Sequence, residues 1–193
     1  AVCGGTGAFG NWAQQHIRTR RQAKLRTGLL VFLFFIDDYF HSLAVGTICR
    51  PVTDRYRISR AKLAYLLDST AAPVCVLMPV SSWGAYIIAL IGGILVAHGV
   101  NDISAFSAFV QMIPLNFYAV FTLLLVIALV LFQRDMGLMA RHEEAALAGQ
   151  LYDAAKGTPP GATESLVASE KGHVVDLALP ILMLVLSTVY FMI

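Results

Sequence analysis

The chain has 193 residues, of which 58% are hydrophobic and 13% charged, whereas a soluble domain carries roughly 25% charged residues. With a mean hydropathy of +0.70, this excludes an ordinary soluble domain and points to a protein that crosses a membrane several times. The formal charge of +2 is too small to suggest a nucleic-acid partner.

The placement of the charges says more than their sum. All 14 Lys and Arg fall into three groups: residues 18–26, residues 50–62, and the scattered Arg134, Arg141, Lys156 and Lys171; residues 63–133 hold none. The chain opens on Ala1, and only 17 uncharged residues follow Asp176, fewer than the roughly 20 that a spanning helix needs. The sequence therefore reads as an internal fragment of a longer protein. Cys3, Cys49 and Cys75 are odd in number and lie in apolar surroundings, so they read as small buried hydrophobes and not as a disulfide or zinc framework. Gly5, Gly7 and Gly10 spell G-x-G-x-x-G, but no strand precedes them and the first acidic residue is Asp37. Small residues packing closely in a membrane segment explain them better than a dinucleotide loop does.

Taken in chain order, Thr27 to Ile36 is a run of ten residues, about 15 Å of helix, or half the hydrocarbon core. A re-entrant hairpin over 27–49, turning at Asp37-Asp38, keeps the basic groups on both sides of it in the cytoplasm, which such groups favour. The alternative is one span of 23 residues with an untypical flank. Between Asp68 and Asp102 lie 33 residues without Asp, Glu, Lys or Arg, which as one helix would be about 50 Å long. Pro73 and Pro79 remove backbone donors and Ser81, Ser82, Trp83 and Gly84 follow, so a broken helix over 69–98 with an unwound turn near 79–84 is expected. Pro114 precedes a span over 115–132. Residues 1–133 thus form a membrane core. Residues 134–175 read as a cytoplasmic loop with a surface helix through Glu143, Glu144 and Leu147 and a Gly157–Gly161 linker, and 176–193 start the next span. The expected class is all-α and polytopic.

Asp37 and Asp38 carry the strongest chemical signal. An Asp at a helix centre costs about +2.5 to +3.5 kcal/mol on insertion scales, so a pair demands protonation, hydration or a bound cation. Burial raises a carboxyl's pKa and a bound cation lowers it, so H+ and Na+ would compete for the same oxygens. Competition of that kind is antiport chemistry. The bland reading has Asp38 capping the second arm while Asp37 faces water. Ser69, Thr70, Ser81 and Ser82, with the carbonyls that Pro73 and Pro79 free, supply neutral oxygens for a hard cation. Asp68 reads equally well as part of a helix N-cap, and His41 either shares the proton traffic or is a satisfied buried histidine. An aspartyl protease would need carboxylates from separate elements.

The stretches Phe35-Ile36-Asp37-Asp38-Tyr39-Phe40, Arg50-Pro51-Val52-Thr53-Asp54-Arg55-Tyr56, Asp68-Ser69-Thr70-Ala71-Ala72-Pro73-Val74-Cys75 and Pro79-Val80-Ser81-Ser82-Trp83-Gly84-Ala85-Tyr86 closely resemble the NhaC-type Na+/H+ antiporter family. The resemblance is dense from about Gly10 to Ile88; beyond Ile91 only the hydrophobic layout agrees. It implies membership of an ion-transporter superfamily built from two inverted repeats, each a hairpin followed by a broken helix, with most of the first repeat present here and the rest missing. His41 stands where Asn is expected in many relatives, so no side-chain amide ligand is supplied there.

The expected function is exchange of Na+ for H+ across a bacterial inner membrane, with Asp37 and Asp38 binding the cation or proton. Ser69, Thr70, Ser81 and Ser82 are the candidate neutral ligands, and no cofactor is implied beyond the transported ions. The partners are the lipid bilayer, Na+ and H+, and the superfamily resemblance is compatible with a homodimer. A Na+-coupled carrier of a small organic acid such as malate or lactate is the alternative. A carboxylate substrate would favour a cationic residue in the site, and residues 63–133 offer none. An intramembrane protease ranks last.

Overall fold

The computed structural model describes residues 8, 17–32, 34–157 and 172–192. Among them every regular element is helical: α1 Arg20–Leu29, α2 Asp38–Arg55, α3 Arg60–Leu77, α4 Ser82–Ala97, α5 Ala105–Met112, α6 Phe117–Phe132, α7 Leu138–Leu147 and α8 Val174–Met192, with short 3-10 turns at Leu30–Phe32, Ile113–Leu115 and Ala154–Lys156. Gly5, Gly7 and Gly10, Cys3, Lys171 and most of the Gly157–Gly161 linker lie outside the described residues.

Side chains that can accept a backbone hydrogen bond set most of the starts. Thr19, Asp37, Ser59, Ser81, Ser104 and Asn116 each accept from an amide three residues on, capping α1 through α6 in turn. The chain reverses at Phe34–Asp37, and the far ends of α1 and α2 meet. The Arg20 guanidinium donates to the Tyr56 carbonyl at 3.1 Å and to that of Arg57 at 2.8 Å, and the Tyr56 hydroxyl donates to the Ile17 carbonyl. The two arms therefore lie antiparallel.

Packing follows the apolar stripes. Phe34, Val45, Ile48, Cys49 and Leu63 form the core between the α1–α2 turn, α2 and α3, and Leu66 of α3 packs on Val126 and Val130 of α6. The other face of α6 and most of α4 leave Leu90, Ile94, Phe121, Leu124 and Leu125 exposed, as a lipid-facing surface would. Taken through its interruption, Arg60–Ala97 is long and apolar enough to cross a membrane; Ala105–Leu115 with Phe117–Phe132, bent by 51°, would make a second such span.

Several element bounds differ from those read in the sequence. The arms extend beyond 27–49, to Arg20 and Arg55, and α3 starts at Arg60 rather than near 69. Of the basic residues taken as flanks, Arg20, Lys24, Arg60 and Lys62 lie within these helices and find charged partners, as described below. Asp68, Ser69 and Thr70 therefore lie inside α3, where Ser59 is the cap, so a capping role for Asp68 is overturned. Pro73 is accommodated within α3, and the interruption is confined to Met78–Ser81.

Candidate cation site

The α1–α2 turn docks on the interruption between α3 and α4. The Ser82 amide donates to the Ile36 carbonyl at 2.8 Å, and the Ser82 hydroxyl donates to Oδ2 of Asp37 at 3.2 Å. The other carboxylate oxygen, Oδ1, accepts from the Phe40 amide at 2.9 Å and so caps α2. The Cys75 thiol lies 3.8 Å from both the Ile36 carbonyl and the Ser82 hydroxyl. Asp37 thus stands at two helix starts at once, that of α2 and that of α4, where exposed amides and the helix dipole favour negative charge.

The interruption itself is held by Ser81 and Gly84. The buried Ser81 hydroxyl lies 2.5 Å from the Cys75 carbonyl and 2.7 Å from the Met78 carbonyl, and it accepts from the Gly84 amide at 2.8 Å. A Cβ on Gly84 would sit 2.0 Å from the Met78 carbonyl oxygen. Only glycine lets the first turn of α4 approach the end of α3 so closely. The end of α3 thus brings the Cys75 and Met78 carbonyls to the Ser81 hydroxyl, next in sequence to the Asp37–Ser82 contact, and carboxylate, hydroxyl and carbonyl oxygens are the kind that a hard cation takes.

The remaining expected residues scatter. Asp38 is half-buried in the first turn of α2, with Oδ1 accepting the adjacent Tyr39 amide at 3.1 Å. Thr70 is buried, but its hydroxyl is taken by the Leu66 carbonyl at 2.6 Å within α3; Ser69 is half-buried and Asp68 exposed. His41 is 1% exposed, its ring lies edge-on to Phe34 at 6.5 Å, and neither ring nitrogen has a partner among the described residues. Asp37, Ser81 and Ser82 are therefore brought together, while Asp68, Ser69 and Thr70 are not. Cys75 and Gly84 complete the site; the glycine directly after Ser-Ser-Trp was the available signal.

A second cluster of charge lies at the other ends of α1 and α3. Glu143 of α7 is buried and accepts from Arg20 at 3.0 Å, from Lys24, and from the Ser59 amide at 2.8 Å. Asp135, just past α6, accepts from Lys24 at 3.4 Å and from Lys62. Lys24 and Lys62 are 3% and 1% exposed. Burial would raise the Asp135 carboxyl, but the Lys62 hydrogen bond and the two ammonium groups outweigh it and hold its pKa below the ordinary value. Glu143 thus corrects the expectation of a purely surface helix. Nearby, Arg60 pairs with Asp54 at 2.6 Å, and burial pushes Asp54 up to about 6 against the opposing charge of Arg50.

The Na+/H+ antiporter family matches residues 74–193, more than half of the chain. The match starts at the last turn of α3 and includes the interruption, Ser81 and Ser82. It runs through the part where the sequence resemblance rested on hydrophobic layout alone and leaves out most of the Gly10–Ile88 stretch. A Haemophilus influenzae protein named only "Uncharacterized protein" is 53% identical over 192 residues, which is 100% of this chain and 35% of the relative. The chain thus spans about a third of the length of the curated relative it matches. No solved structure matches. Helical throughout the regular elements of its described residues, rich in exposed apolar side chains and matched from the last turn of α3 onward, the chain belongs to the Na+/H+ antiporter family and is part of a membrane protein.

Proposed function

We propose that the complete protein exchanges Na+ for H+ across a bacterial inner membrane and that Asp37 is the group for which the two ions compete. The contact between the Asp37 carboxylate and the Ser82 hydroxyl carries this reading, because it joins the turn of one helical hairpin to the interruption of the next helix. Broken helices that present their ends to an ion are a recurring transporter arrangement. Na+ would take oxygens from Asp37, Ser82 and the α3 terminus, with Asp38 as a second carboxylate at the same turn; a proton on Asp37 would displace it. The α1–α2 pair acts as a re-entrant hairpin, its basic ends on the cytoplasmic side, and α3–α4 as the broken helix of one inverted repeat. The motifs around Asp37 and Ser82 favour the NhaC-type subfamily.

The test is Na+-driven dissipation of a pH gradient in proteoliposomes of the full-length protein, without any organic acid. Asn retains the capping oxygen of Asp37, so Asp37→Asn isolates the charge. We expect exchange in the wild-type protein and none in Asp37→Asn or Asp38→Asn. Undiminished exchange in both variants removes the aspartates from the mechanism, and a strict requirement for an organic acid replaces the antiporter reading with a carrier.

A further inference from the structure

We infer that the groove between α1 and α6 seats an acyl chain of an anionic phospholipid whose phosphate lies between Arg21 and Arg134. The inference rests on the membrane placement proposed above but not on the ion site. Leu25, Gly28 and Leu29 of α1 and Phe32 of the 3-10 turn that follows it face Leu123 and Ile127 of α6 across a cavity of about 100 Å³. Leu29, Phe32 and Ile127 are about half exposed, and a Cβ on Gly28 would meet no atom within 4 Å. The groove is therefore open along its side as well as apolar, a shape that suits a flexible hydrocarbon chain.

Its basic end selects the headgroup. Arg21 stands on the same stripe of α1 as Leu25 and Gly28, at spacings of four and seven. Lys24 lines the groove and bonds to Asp135, which brings the start of α1 beside Arg134, the preceding residue. Arg21 and Arg134 are both exposed, and neither makes an ion pair among the described residues. The carboxylates of Asp135 and Glu143 are already matched by Arg20, Lys24 and Lys62, so these two acids are taken up by cations other than Arg21 and Arg134. Basic residues at a membrane surface attract anionic lipid, and the adjoining apolar groove turns that attraction into a site.

The experiment is native mass spectrometry of the full-length protein released from bilayers of equal phosphatidylglycerol and phosphatidylcholine. Phosphatidylglycerol should be retained preferentially. Arg21→Gln and Arg134→Gln should each weaken that preference about fivefold, and Gly28→Leu, which fills the groove, should lower retention of both lipids. Gly28→Cys should react with a lipid-soluble maleimide, and added phosphatidylglycerol should slow the reaction. Equal retention of the two lipids, or unchanged preference in both arginine variants, overturns the proposal. So does an unreactive Gly28→Cys, which would mean that another part of the chain covers the groove, or equal protection by glycerol phosphate alone, which would mean a headgroup site without a chain. Exchange activity of the same preparation is read separately, so loss of lipid selectivity and loss of antiport are distinct results.

Discussion

Asp37 and Ser82 are 45 residues apart in sequence and joined by a 3.2 Å hydrogen bond. Each also starts a helix, since Asp37 caps α2 and Ser82 opens α4. Any ion held at this contact is therefore felt by both elements. Ser82→Ala removes a donor to the Asp37 carboxylate and, in the proposed mechanism, an oxygen ligand of the cation. A hydrogen bond to a charged group contributes about 1.5–3 kcal/mol, so the KM for Na+ should rise by about tenfold or more in proteoliposome exchange. An unchanged KM would detach Ser82 from ion binding.

Gly84→Ala tests the interruption without touching an ion ligand. The new methyl would meet the Met78 carbonyl at 2.0 Å, so the Met78–Pro79 backbone must move. We expect exchange to fall at least tenfold and thermal stability to drop by a few kcal/mol, as overpacking does. Gly93, on the same helix, has nothing within 4 Å of such a methyl. Gly93→Ala should be neutral or stabilising by about 0.5–1 kcal/mol. Equal behaviour of the two variants would show that the close approach at Gly84 is unimportant.

Lys62→Met should be among the most destabilising single changes, because it leaves Asp135 with one partner, the 3.4 Å contact to Lys24. Removing one member of a buried pair costs about 3–5 kcal/mol, whereas replacing both members with apolar side chains is far milder. Lys62→Met with Asp135→Leu should therefore recover part of the loss in a thermal unfolding series. If the double variant is no better than the single one, the pair does not act as a unit.

The carboxylates of Asp54 and Asp135 should respond to pH in opposite ways. Asp54 is pushed up to about 6, so its contribution is present below the unfolded value of 3.8 and lost as pH rises through about 6. The stability of wild type relative to Asp54→Asn should therefore fall between pH 5 and 7. Asp135 lies below the ordinary value, so its contribution is complete above about pH 4 and is lost only on further acidification. The difference between wild type and Asp135→Asn should stay flat from pH 5 to 8. Melting temperatures across that range check both slopes.

Much of the helical framework and part of the site were legible because their causes are local. Pro79 lacks a donor and Ser81 offers its hydroxyl to a new helix start, so the Met78–Ser81 interruption overlaps the expected 79–84 turn, of which Ser82, Trp83 and Gly84 belong to α4. Asp37 likewise carries its own capping oxygen to the turn. Missing from any local pattern were the partners of the basic groups. Lys24 and Lys62 meet Asp135 across 111 and 73 residues, and without those contacts charged residues read as helix flanks instead of buried helix interior. The same gap left a cap as one of two readings for Asp68, although α3 had begun two turns earlier, capped by Ser59. Gly84 shows the intermediate case: the glycine is visible, but the Met78 carbonyl that requires it is not.

The central claim is that one carboxylate hosts Na+ and H+ in turn. Its most direct measurement is isothermal titration of the full-length protein with Na+ in buffers of different ionisation enthalpy, which counts the protons released as the cation binds. The account predicts proton release in the wild-type protein that grows as the pH is lowered towards protonation of Asp37, and neither binding nor release in Asp37→Asn. Sodium binding that releases no proton at any pH, or that persists in Asp37→Asn, would contradict it.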